Sequence, residues 1–106
     1  MIFITGPMFS GKREYALTLC SPDEALFDAE TLAADCPDLD ALCDSLCGKY
    51  KVITASELGG GIVPIDPGER AMRDAAGRLS RMLASRAETV VRVFCGIPTI
   101  IKGELI

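Results

Sequence analysis

The residues best suited to chemistry stand near the start of the chain. Gly6-Pro7-Met8-Phe9-Ser10-Gly11-Lys12 spaces two glycines and a lysine as G-x-x-x-x-G-K. Glycines at those places let backbone N–H groups curl around a phosphate, and a helix starting at Gly11 adds its dipole. Lys12 then sets a point charge against the β- and γ-phosphate oxygens, where it can stabilise a phosphoryl group in transfer. The same string also suits an ordinary glycine-rich turn between a strand and a helix. After the lysine such a loop normally carries Ser or Thr, whose hydroxyl ligates Mg2+. Here the residue is Arg13, which cannot hold a cation but can neutralise phosphate charge. Ser10 has the only other hydroxyl inside the loop, and Asp28 is placed to hold a metal through water. Ser10 and Asp28 are therefore the expected Mg2+ residues. Asp28 reads almost as well as a plain strand-end acid.

Composition removes other chemistries. The 106 residues include no histidine, which excludes a Ser-His-Asp triad, imidazole acid–base work and a nucleotidyl-histidine intermediate. The five cysteines (Cys20, Cys36, Cys43, Cys47 and Cys95) form no CxxC pair. Cys43 and Cys47, four apart, fit one helix face, so reduced thiols of a cytoplasmic protein are expected rather than zinc or disulfides. A net charge of −4 and a pI near 4.7 oppose a nucleic-acid partner. Residues 21–47 carry eight acids and no base, whereas residues 69–92 carry six arginines against three acids. No apolar run approaches the ~18 residues of a membrane span, so no membrane partner is expected. Gly6-Pro7 and Lys12-Arg13 interrupt the opening in a way a secretory leader does not.

These side chains need a frame. Met1–Thr5 reads as a buried strand stopped by Gly6-Pro7, and a short helix runs from Gly11 to Ser21-Pro22. Ala25-Leu26-Phe27 is a brief strand delivering Asp28. Pro37 opens a second helix, with Leu39, Leu42, Cys43 and Leu46 at helical spacing and Gly48 as its C′ residue. Tyr50–Ala55 reads as a strand and residues 56–61 as a loop. Asp66-Pro67-Gly68-Glu69 has the cap, proline and glutamate of a helix start. That helix is expected to bury Met72, Ala75, Ala76, Leu79, Met82 and Leu83. Its arginines suit either a solvated face or a subunit interface with the acidic 21–47 region. Thr89–Cys95 is an apolar strand and Thr99–Lys102 a last one. Alternating strands and helices predict one three-layer α/β domain over residues 1–106, with a small, mostly parallel sheet and helices on both faces.

Ser56-Glu57-Leu58-Gly59-Gly60-Gly61-Ile62-Val63-Pro64 resembles the (N/S)-E-(V/L)-G-x-G-I-V-P loop of the adenosylcobinamide kinase/adenosylcobinamide-phosphate guanylyltransferase family. The resemblance continues through Arg70, Arg73-Asp74, Gly77-Arg78-Leu79, Val90–Cys95, Gly96-Ile97 and Ile101-Lys102. Residues 25–32 resemble the family's Walker-B segment, and the first sixteen its opening strand and P-loop. The loop string is also similar to that of the tetrameric thymidine kinases, but for seven residues only and without their zinc-binding cysteine pairs.

The family resemblance implies a P-loop fold and a cobalamin-pathway enzyme. Such an enzyme phosphorylates adenosylcobinamide with GTP or ATP, then transfers GMP through a guanylylated histidine. It implies a nucleotide and adenosylcobinamide as partners, and a homo-oligomer. Phosphate binding then falls on Gly6, Ser10, Gly11, Lys12 and Arg13, the acidic position on Asp28, and the adjoining site wall on Glu57 and Gly59. The family separates its P-loop helix and Walker-B strand by several dozen residues; here fifteen lie between Lys12 and Asp28. The shortening is read as internal. With no histidine in the chain, guanylyl transfer is not expected, while phosphate binding and kinase chemistry are. The alternative is a non-catalytic paralogue with a structural or regulatory role.

Overall fold

The computed structural model describes residues 1–34, 36–57 and 66–104. Gly59, the rest of the 58–65 loop segment and Asp35 lie outside those residues. Five strands form one sheet in the order β2-β3-β1-β4-β5. They are β1 (Ile2–Gly6), β2 (Ala25–Leu26), β3 (Val52–Ser56), β4 (Thr89–Phe94) and β5 (Ile97–Lys102). The first four run parallel, and β5 returns antiparallel to β4. β1 lies between β3 and β4 with Ile4 opposite both Thr54 and Val91. Central strands have both faces covered, which is why Val52-Ile53-Thr54-Ala55-Ser56 is buried throughout. The expected α/β class and mostly parallel sheet are present.

The helices are α1 (Lys12–Leu19), α2 (Glu30–Ala33), α3 (Leu39–Lys49) and α4 (Pro67–Arg86). Two apolar clusters mark the faces of the sheet. Ala16 of α1, flanked by Tyr15 and Leu19, packs with Ile4, Val52, Val91 and Val93 on one. On the other, Ala33, Cys43, Leu46, Ala76, Leu79 and Leu83 from α2, α3 and α4 cover Phe3, Ile53 and Ala55. Asp66 caps α4 as its position predicts, its Oδ1 accepting from the Gly68 N–H at 3.0 Å.

Three local expectations change, and one element arises unannounced. α3 runs through Gly48 and ends at Lys49, with Tyr50 as its cap, so that glycine lies inside the helix, with open space beyond it in place of a left-handed cap. Met72 is exposed, one turn before the α4 stripe meets the core at Ala76. The short α2, for which the sequence offers no assignment, forms because Asp28 turns left-handed (φ 58°) and its carbonyl accepts from the Thr31 N–H and hydroxyl. The last strand begins at Ile97 rather than Thr99, through a tight turn at Cys95 (φ 52°) and Gly96 (φ 74°). Pro98 argues against a strand by its missing N–H, yet β5 is the sheet edge, where proline is tolerated.

The charge asymmetry also has a structural answer. Arg86 of α4 bonds Asp44 and approaches Asp40 of α3 at 3.7 Å, both within this chain. One arginine of the basic helix thus serves to join α3 to α4, and Glu69 and Arg73 form an i,i+4 pair at 3.5 Å.

Candidate functional site

β1 runs directly into the loop at Gly6, and the sheet leaves no room there for a side chain. A Cβ on Gly6 would lie 2.2 Å from the Val93 carbonyl oxygen of β4. Gly11 stands at φ 94°, a left-handed conformation that glycine adopts freely, and places the first turn of α1 directly after it. The loop is braced from outside by the β4–β5 turn, where the Gly96 N–H donates to the Ser10 carbonyl at 2.8 Å. Gly11 and Gly96 approach so closely that a Cβ on the former would lie 3.3 Å from the latter's Cα. The Cys95-Gly96-Ile97 turn therefore sets the shape of the loop from a distance of more than eighty positions in sequence.

Lys12 is 6% exposed, and a buried ammonium needs acceptors. Its Nζ donates to the Pro7 carbonyl at 2.6 Å and lies 3.5 Å from Ser10 Oγ, so the cation sits inside the curve of the loop. Arg13 is exposed, its guanidinium 4.5 Å above the Phe27 ring. Lys12, Arg13, Ser10 and Gly11 line a cleft of about 310 Å3 whose far side is Asp28, Thr54 and Ser56. Six of the residues singled out in the sequence (Gly6, Ser10, Gly11, Lys12, Arg13 and Asp28) therefore converge on the loop and its cleft. Gly59 falls outside the described residues.

Glu57 follows β3, beside the loop strand, and its backbone N–H donates to the Gly6 carbonyl at 2.8 Å. Its carboxylate is engaged by Arg92 of β4 in a two-point pair, 2.7 Å to Nε and 3.1 Å to Nη2. Those hydrogen bonds, with further help from the Arg92 and Lys12 charges, hold the Glu57 carboxyl below its ordinary range against the opposing effect of burial. Glu57 is thus a strut across the sheet end, from β3 over β1 to β4.

Three contributors escaped the sequence reading. Thr54 fixes the exit of β2, accepting from Asp28 N–H through Oγ1 at 3.2 Å and from Ala29 N–H through its carbonyl at 2.9 Å. Ser56 faces the same cleft. Glu30 is buried, with Oε1 accepting from the Ser56 N–H at 2.8 Å and Oε2 without a hydrogen-bond partner among the described residues. It borders a second chamber of about 490 Å3 that shares Met8, Asp28 and Ser56 with the first. The sequence placed Glu30 within the Walker-B-like segment 25–32 but gave it no role of its own.

The family described as "Cobinamide kinase / cobinamide phosphate guanyltransferase" matches residues 23–101. This chain belongs to that family. The bifunctional adenosylcobalamin biosynthesis protein CobU of Escherichia coli (strain K12) is 37% identical over 83 residues, covering 76% of this chain and 45% of that protein. The chain thus spans less than half the length of this relative. The family match begins at Asp23, beyond the loop, so the Gly6–Lys12 geometry is support that stands apart from it.

Proposed function

We propose that residues 1–106 act as one nucleotide-binding unit of cobalamin biosynthesis, taking the phosphates of GTP or ATP in the curve of Gly6–Lys12. The observation that carries this reading is the buried Lys12 ammonium, held by a loop carbonyl at the N-terminus of α1 and open to a cleft beside Ser10 and Gly11. A phosphate is the natural ligand of such a place, since it offers anionic oxygens to the ammonium and to the loop N–H groups together. Lys12 stabilises the charge on the phosphoryl oxygens, and Asp28, across the cleft, faces the reacting end. The family description, which names cobinamide, supports adenosylcobinamide as the acceptor. Guanylyl transfer through histidine lies outside the proposal, because these residues contain none.

Mg2+ fits this site poorly. A cation placed beside Ser10 faces the Lys12 ammonium, 3.5 Å from Ser10 Oγ, and the next residue in sequence, Arg13, lines the same cleft and offers a cation in place of the usual ligand hydroxyl. Among the described residues no group of three metal-binding side chains occurs, and Glu57 is committed to Arg92. No step is therefore routed through a metal.

A second reading, a non-catalytic paralogue, is favoured by the same Arg13. Incubation with γ-labelled GTP or ATP and cobinamide separates the two. Label moving to cobinamide supports kinase chemistry; nucleotide binding without transfer supports a non-catalytic form that keeps its nucleotide; absence of binding at millimolar nucleotide overturns the nucleotide-binding reading and leaves the structural paralogue. Self-association and a cytoplasmic setting belong to the proposal too. The exposed Ile97, Ile100 and Ile101 of β5 supply an apolar edge for self-association, and no described helix is long and apolar enough to cross a membrane.

A further inference from the structure

The mismatch between this loop and a divalent cation has a positive side. Arg13 follows Lys12 directly, borders the same cleft and lies with its guanidinium 4.5 Å above the Phe27 ring. A guanidinium stacked by its face keeps the N–H donors around its edge free for an anion. No described carboxylate pairs with it: Glu57 is taken by Arg92, and Glu30 by the Ser56 N–H. The other charges on the cleft wall, Glu14 and Asp28, are exposed carboxylates. Phe27 stands directly before the left-handed Asp28, so the residue that seats Arg13 is itself held by the stitch between β2 and Thr54.

From this arrangement we infer that Arg13 takes the part of the metal, so that the loop binds nucleoside triphosphate phosphates without Mg2+. This deepens the nucleotide-binding reading and rests on it. Arg13 supplies one positive charge where Mg2+ supplies two, but as a planar fork of donors it matches two phosphate oxygens at once. Phe27 holds that fork in place, lowering the rotamer freedom that an exposed arginine loses on binding. A divalent ion entering the same space meets two fixed cations, and a triphosphate arriving with Mg2+ must shed it or bind less well. The preferred ligand is thus the metal-free triphosphate.

Titration calorimetry of the full chain with GTP tests this, in excess Mg2+ and again in EDTA. The wild type is expected to bind in EDTA at least as tightly as in Mg2+. Arg13→Thr, which restores a ligand hydroxyl, is expected to lose about tenfold in EDTA and to recover with Mg2+, while Arg13→Lys stays independent of metal. Arg13 is exposed, so these variants leave the core intact, and far-ultraviolet circular dichroism verifies their fold. Wild-type binding that strengthens about tenfold on adding Mg2+ overturns the inference and leaves the nucleotide reading standing. Equal affinities of wild type and Arg13→Thr in EDTA overturn it as well. Absence of binding in both buffers overturns the inference together with the nucleotide reading.

Discussion

At the scale of single residues, the site is governed by which charges are already engaged. Lys12 has a carbonyl, Arg13 a ring and Glu57 an arginine, leaving Asp28 as the exposed carboxylate facing the loop across the cleft. The Glu57–Arg92 pair has a consequence for acid stability. Its carboxyl ionises below the ordinary value near 4.5 in the folded chain, chiefly because of the Arg92 hydrogen bonds. The stabilisation is therefore complete above that ordinary value and is lost as pH falls through the lower folded one. Both side chains are about 40% exposed, which keeps the effect small. Urea unfolding at stepped pH should show Glu57→Gln least different from wild type at the acid end and most different near neutrality. Parallel curves across the acid range would contradict the strut.

The loop lysine, its glycines and Asp28 were legible because their chemistry depends on short spacing. Thr54, Ser56 and Glu30 were not, because their roles depend on which strands lie side by side. Nothing local in Val52-Ile53-Thr54-Ala55-Ser56 says that it adjoins both β1 and β2. The Arg86–Asp44 contact was likewise hidden: composition showed a basic helix and an acidic region, but whether they meet within one chain is a matter of packing.

At the scale of elements, helix periods and caps predicted α1, α3 and α4 well, since each has an apolar stripe or a clear cap. α2 has four residues and depends on the left-handed Asp28, a signal without a sequence pattern. β5 begins two residues before the expected Thr99, and it holds Pro98 because it is the edge of the sheet. The heaviest packing role falls to α4, whose Leu79 and Leu83 are buried over Phe3 and Ile53. Leu79→Ala should lower unfolding free energy by about 2–5 kcal/mol, read as an earlier denaturation midpoint with unchanged cooperativity. A loss under about 1 kcal/mol would mean that α4 is not seated on the sheet as described. The β4–β5 turn is the less obvious element. It adds an edge to the sheet and, through Gly96 and Ser10, fixes the loop that begins eighty-odd residues earlier.

For the whole molecule, the sheet order places β1 at the centre, so the Gly6–Lys12 loop emerges where β3 and β4 can both support it. β3 contributes Glu57 and the cleft wall, and β4 contributes Val93, Arg92 and the turn. Among the described helices α1 packs on one face, and a single turn, Pro22–Glu24, stands between it and β2. The proposed function makes Lys12 the phosphate-binding cation at the end of β1. Titration calorimetry of wild type and Lys12→Met with GTP tests it most directly, the methionine preserving the apolar stem and thermal unfolding confirming that the variant folds. At least a tenfold loss of affinity is predicted; equal affinity in the two folded proteins would contradict the account.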